Sequence, residues 1–263
     1  MNPMKRHATT LLFFLASCCI VAQTRTSLGE FKVNHFEKEF CARRDSILQT
    51  PMDSLDMWCD TLCSKLTFDF VSFDNPTSLP GVLIADQINH YALQFLLPED
   101  MDYATFQDIV TLYETNSLQY TEETHCSASE LSGSDKIFSV VLGRDGYSCG
   151  AAHGYYESSM FHFNPKDGRQ LTWDDFFEAD QQVALTVVAE EAWKELLKEE
   201  PWASDYGEFF LTTDFLFDTE GLHLFYDPYE IAPYAMGAPE ILLQPKDFRP
   251  LLRKDCLVRE LYP

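Results

Sequence analysis

The stretch Tyr226–Glu240, YDPYEIAPYAMGAPE, puts three prolines, one glycine and three tyrosines into fifteen residues. Each proline locks φ and removes a backbone donor, so neither a helix interior nor a central strand can run through it. Proline also pushes the residue before it towards extended geometry, here Asp227, Ala232 and Ala238. The segment must therefore be a stiff loop. Such a loop presents side chains at a low entropic cost on binding, and Tyr226, Tyr229, Glu230 and Tyr234 are its candidate contacts. The alternative is a rigid crossover whose tyrosines pack on the domain.

Composition bounds the rest. With 263 residues, 46% of them hydrophobic, the chain is long enough for one large domain or two small ones and can bury a sizeable core. Its formal charge is −23; without residues 1–22, which hold Lys5, Arg6 and no acid, 17 bases face 42 acids, giving −25. That surface repels nucleic acid and anionic membranes and attracts cationic partners, although the same charge also serves solubility.

Residues 1–22 have a basic start, an apolar run from Leu11 and a small-residue exit, the pattern of a secretory signal. Ala22 before Gln23 suits ordinary cleavage, whereas Leu15–Cys18 resembles a lipobox that would leave an acylated Cys18. The expected location is the periplasm or cell envelope, soluble or lipid-anchored. Ordinary cleavage leaves six cysteines, Cys41, Cys59, Cys63, Cys126, Cys149 and Cys256, which read as up to three disulfides of open connectivity. A zinc site is the rival, but no CxxC pair or HxxxH partner accompanies them.

Along the chain, Gln23–Asn34 reads as a polar tether, and Leu66, Phe68 and Phe70 alternate as a strand. Helical spacing marks Val82–Leu96 and Tyr103–Glu114. Gln119–Ser134 is polar and reads as a boundary or loop. Ile137–Leu142 and Tyr155–Phe163 read as strands, with turns at Gly143–Gly146 and Asn164–Gly168. Thr172 is a candidate N-cap with Asp175 as its partner, and Gln182–Lys198 carries an apolar face of Leu185, Val188, Ala189, Ala192, Trp193 and Leu196. Phe215–Phe217 and Leu222–Tyr226 form a hairpin signature, Ile241–Leu243 a last strand, and Asp247–Arg253 a short final helix. The pattern predicts an α+β fold, an antiparallel or mixed sheet with helices packed mainly on one face, divided into a module at 23–130 and a domain at 131–263.

Phosphate-loop, dinucleotide, GxSxG and HExxH motifs are absent. His153, between Gly150 and Gly154, is the one candidate general base; its other reading is a histidine that pins a bend between strands. His162 is too loosely related to serve as a second ligand. No cofactor and no metal is expected.

Three motifs in order carry a family likeness: GAAHG (Gly150–Gly154), FHFNPKDGRQLTWDDFF (Phe161–Phe177) and YEIAPYAMGAPEILL (Tyr229–Leu243). Together they resemble the extracellular domain of RsiV-type anti-sigma factors, which also accompanies the catalytic domain of PdaC-type peptidoglycan deacetylases. The likeness covers roughly Ile137–Leu252, and Ala151 stands where that pattern has a glycine. It implies an α+β envelope module that binds a cell-wall glycan or a cationic wall-lytic protein such as lysozyme. An enzyme on peptidoglycan using His153, and a structural module of a lipoprotein, are the alternatives.

Overall fold

The computed structural model describes residues 28–42, 62–75, 77–96, 105–116, 122–133, 136–148, 151–203 and 206–262. Six strands, β1 (Phe31–Ala42), β2 (Leu62–Phe73), β3 (Glu122–Gly133), β4 (Phe138–Ser148), β5 (Tyr155–Phe163) and β6 (Gln170–Leu171), form one sheet in sequential order. All neighbours are antiparallel except β2 and β3, whose parallel pairing is confined to Lys65–Phe68 against Glu123–Cys126. A parallel pair needs a long crossover. Here the crossover contains helices α1 (Leu79–Gln94) and α2 (Phe106–Asn116). Their periodic residues Ile84, Ile88, Ile109, Val110 and Tyr113 enter one hydrophobic cluster with Leu66, Phe68, Val140 and Phe163 from the strands.

A second sheet, β7 (Phe215–Phe217), β8 (Leu222–Phe225) and β9 (Glu240–Leu243), is antiparallel throughout. It shares a separate cluster with α3 (Trp173–Phe176), α4 (Ala179–Leu196) and α5 (Pro245–Phe248). The fold is α+β with a mixed sheet.

The segment Gln119–Ser134 corrects the expectation of a boundary or loop. Most of it is β3, a strand between β2 and β4. Its inward residues are small, Thr124, Cys126 and Ala128, so neighbouring strands supply the apolar bulk and no hydrophobic run announces it. Residue 130 falls inside this strand; Phe163 is the last buried member of one cluster and Leu171 the first of the other.

Gly143–Gly146 is likewise not a turn, because β4 continues through it to Ser148. A Cβ on Gly146 would lie 2.4 Å from the Glu123 carbonyl and 2.5 Å from the Tyr155 hydroxyl, so glycine there permits close strand approach. The tether also ends sooner than expected: Leu28 is buried and Phe31–Asn34 belong to β1. Leu196 points to solvent rather than to the apolar face of α4.

Cys41 and Cys63 lie opposite each other in the β1–β2 register and are joined by a disulfide. Cys126 and Cys256 are buried free thiols in different clusters, which lowers the expected ceiling of three bridges to two. Burial pushes the Cys126 thiol up to about 12, so it stays protonated and unreactive. Cys59, Cys149 and residues 1–22 lie outside the described residues. No helix among the described residues is long and apolar enough to cross a membrane.

Candidate functional site

The proline-rich loop leaves β8 and returns to β9, and its base is closed by the Tyr226 N–H donating to the Pro239 carbonyl at 3.0 Å. Tyr226 continues the inward alternation of Leu222 and Leu224; it is 2% exposed, and its hydroxyl donates to the Phe210 carbonyl at 2.9 Å. Burial raises its pKa, so the hydroxyl remains a donor. It is a core residue and is withdrawn from the contact set.

Beyond Tyr226 the chain makes a turn closed by the Glu230 N–H donating to the Asp227 carbonyl at 3.2 Å. Pro228 holds the second position, and Tyr229, with φ 75°, the third. That is the arrangement of a type II turn, whose third position favours glycine. Tyr229 is the non-glycine residue with positive φ among those described, and it is 53% exposed. A tyrosine held there costs about 1 kcal/mol. Ile231 and Ala232 are buried and anchor the next step of the loop. Gly237, at φ 81° and ψ −146°, takes a conformation essentially restricted to glycine.

Four further rings extend from Tyr229. Tyr206 and Tyr234 lie 6.5 and 5.6 Å from it by ring centroids. Tyr234 stacks on His153 at 4.0 Å and lies 6.2 Å from Tyr156. The result is a continuous, partly exposed aromatic strip with the exposed Glu230 beside it. His153 donates from Nδ1 to the Gly154 carbonyl at 2.7 Å, the same carbonyl that accepts the Tyr234 hydroxyl at 3.2 Å. It thus stacks on Tyr234 and shares the Gly154 carbonyl with it, and no carboxylate hydrogen-bonds its ring among the described residues. His162 is remote from the strip: it is buried, shares a hydrogen bond with Ser139 at 2.8 Å, and burial lowers its pKa to about 4.

Under the strip the loop is held to β5 by carboxylates. Asp227 accepts from the Ser158 N–H through both oxygens at 3.0 Å and from its hydroxyl at 3.3 Å. Asp214 accepts from the Met160 N–H at 2.6 Å, and Glu230 accepts from the Asp227 N–H at 2.7 Å. Burial raises the Asp227 carboxyl to about 7, the Ser158 hydrogen bonds oppose this, and the charges of Glu230 and Asp214 add to it. Burial raises Asp214 to about 6, opposed by Met160 and reinforced by Glu230.

Sequence reasoning placed Tyr229, Glu230 and Tyr234 correctly in one loop but missed Asp214, Ser158, Tyr156 and Tyr206. For Tyr156 a signal existed, since the alternation that sends Tyr155, Phe161 and Phe163 one way sends Tyr156 the other. Asp214 had none.

Two clusters have ligand-like spacing among the described residues. In Glu39, Cys41 and Cys63 the sulfurs are joined to each other. In Asp218, Glu220 and His223, Asp218 Oδ1 already accepts from the Glu220 and Gly221 N–H groups and meets His223 Nε2 at 3.0 Å. His223 Nδ1 contacts Glu240 at 2.5 Å, and these two partners raise its pKa, so the cluster closes the β7–β8 hairpin.

Residues 174–245 match the family model described as a protein of unknown function, DUF3298. The matched span contains Asp214, Asp227 and the whole aromatic loop. Two solved structures share the fold over most of the chain. A member of the DUF3298 family from Bacteroides fragilis NCTC 9343 superposes with a TM-score of 0.63 at 18% identity, covering 89% of this chain and 98% of its own. A DUF3298 family protein from Pseudomonas aeruginosa PAO1 gives 0.60 at 16% identity, covering 90% and 99%. At these identities the likeness concerns the fold alone. No curated protein matches the chain.

Proposed function

We propose that the chain is a non-catalytic binding module of the bacterial envelope whose aromatic strip takes a cationic wall-lytic protein such as lysozyme. The observation that carries this reading is the run of rings Tyr206–Tyr229–Tyr234–His153 on a proline-stiffened loop beside Glu230. Tyrosine is enriched at protein interfaces, and ring faces next to carboxylates suit lysine and arginine side chains through cation–π and ionic contacts. The formal charge of −23 steers such a partner inward. Backbone strain at Tyr229 supports a role for that ring beyond packing.

A second reading, a cell-wall glycan, is favoured by the spacing of partly exposed ring faces at 5.6 and 6.5 Å, on which successive sugars can stack. The link to RsiV-type and PdaC-type envelope proteins belongs to this proposal, as does export through residues 1–22. Calorimetric titration with lysozyme and with muropeptides tests it. Lysozyme binding is expected to weaken steeply with salt, because exposed charges are screened beyond about 8 Å at physiological ionic strength. Tyr229→Ala with Tyr234→Ala is expected to lower affinity at least about tenfold, as loss of a central aromatic anchor does. Heat from muropeptides alone would select the glycan reading. Silence from both ligands, or turnover of peptidoglycan that vanishes in His153→Ala, would overturn the proposal.

A further inference from the structure

The edge of β5 that faces the second sheet is covered in an unusual way. β6 pairs only with His162 and Phe163. Towards the start of β5, side chains from the segments flanking the strands of the second sheet take over, Asp214 at Met160, Asp227 at Ser158 and Tyr234 at Gly154. A neighbouring strand would satisfy these groups without charge. Carboxylates bring two charges into a partly desolvated seam, and Glu230 faces both. The other titratable groups at the seam are Tyr156, influenced by Asp227 and Tyr234, and Tyr226, influenced by Glu230. His162, two residues beyond Met160 on β5, is held neutral by burial. No basic side chain among the described residues pairs with Asp214 or Asp227.

We propose that Asp214 and Asp227 form a proton-operated latch between the two sheets, closed when protons neutralise these two carboxylates and loosened as they leave. The aromatic strip, rooted on Asp227, is then held more firmly in mildly acidic than in alkaline surroundings. A neutral carboxyl still accepts the Ser158 or Met160 N–H through its carbonyl oxygen, while desolvation and repulsion from Glu230 disappear. In an open latch both groups meet water and return towards the ordinary 3.8, whereas the closed latch binds protons up to about 6 and 7. Lower pH therefore favours the closed form, by up to tenfold per unit for each group in the window where its two states differ. The consequence for partner binding rests on the function proposed above, but the latch does not.

Hydrogen exchange of the ligand-free chain tests it without any partner. Protection factors are compared for the Ser158 and Met160 amides and, as a reference inside the ladder, for Val140. On lowering pH from about 8 to 5.5, the two latch amides should gain at least about tenfold in protection relative to the reference. In Asp214→Asn with Asp227→Asn this gain should vanish. Glu230→Gln, which keeps both acceptors, should move the gain to lower pH, and it decides the matter if the double variant does not fold. A flat or reversed profile in the wild type, an unchanged profile in the double variant, or no shift in Glu230→Gln would overturn the proposal.

Discussion

Two strands of the first sheet run past their partners, and the protein covers the exposed edges with different chemistry. Beyond Phe68, β2 has no pairing with β3, and the Asn89 amide occupies the gap. Its oxygen accepts from the Val71 N–H at 2.8 Å and its nitrogen donates to the Val71 carbonyl at 3.0 Å, as a peptide group would. On β5 the corresponding positions are filled by Asp227 and Asp214. An amide supplies donor and acceptor and carries no charge at any pH. A carboxylate supplies acceptors only, and its charge makes the join depend on protons. The neutral cap closes the core, whereas the charged caps lie under the surface proposed to recognise a partner.

The largest effect is expected at the neutral cap. Asn89→Leu leaves both polar groups of Val71 unpaired and should cost about 3 kcal/mol in denaturant unfolding, by similar amounts at pH 5.5 and 8. A pH-dependent loss would break the contrast between the edges. His162 sharpens it from the other side. Its folded pKa, about 4, lies below the ordinary 6.5, so its contribution to stability is full above pH 6.5 and is lost as pH falls towards 4. The carboxylates have the opposite sign, since their raised pKa values give stability that is lost as pH rises through about 6 and 7. Comparing His162→Phe with the wild type should show their stability difference shift by about 3 kcal/mol in favour of the variant on going from pH 7 to 4.

Gly237→Ala probes the loop rather than the edge. The added Cβ meets nothing closer than the Tyr156 hydroxyl at 3.7 Å, so the loss, between about 1 and 2 kcal/mol by thermal unfolding, is backbone strain alone. The smallest change runs the other way. Tyr229→Gly should raise stability by about 0.5 kcal/mol through relief of the positive φ, while lowering partner affinity. A stability gain with intact binding would remove Tyr229 from the interface.

Much of the fold was legible because local patterns and tertiary burial agree. The alternation in β5 and the turn at Asn164–Gly168 match their structures, as does the periodicity of Ile84 and Ile88. Where inward side chains are small, as in β3, the apolar signal is lost although the strand is not. Glycines at Gly143–Gly146 read as a turn because sequence does not distinguish a chain reversal from a close approach of neighbours. In the site, proline stiffening revealed the loop, but Tyr226 obeys the β8 alternation and is buried. The carboxylate seats on β5 join residues 54 and 69 positions apart, and no local pattern encodes such a meeting.

The charged edge is tested most directly by following the side-chain carboxyl carbons of Asp214 and Asp227 by NMR across a pH titration. The account predicts apparent pKa values near 6 for Asp214 and near 7 for Asp227, with the Asp227 value falling in Glu230→Gln. Titration of both groups near the ordinary 3.8, unmoved by the loss of Glu230, would contradict it.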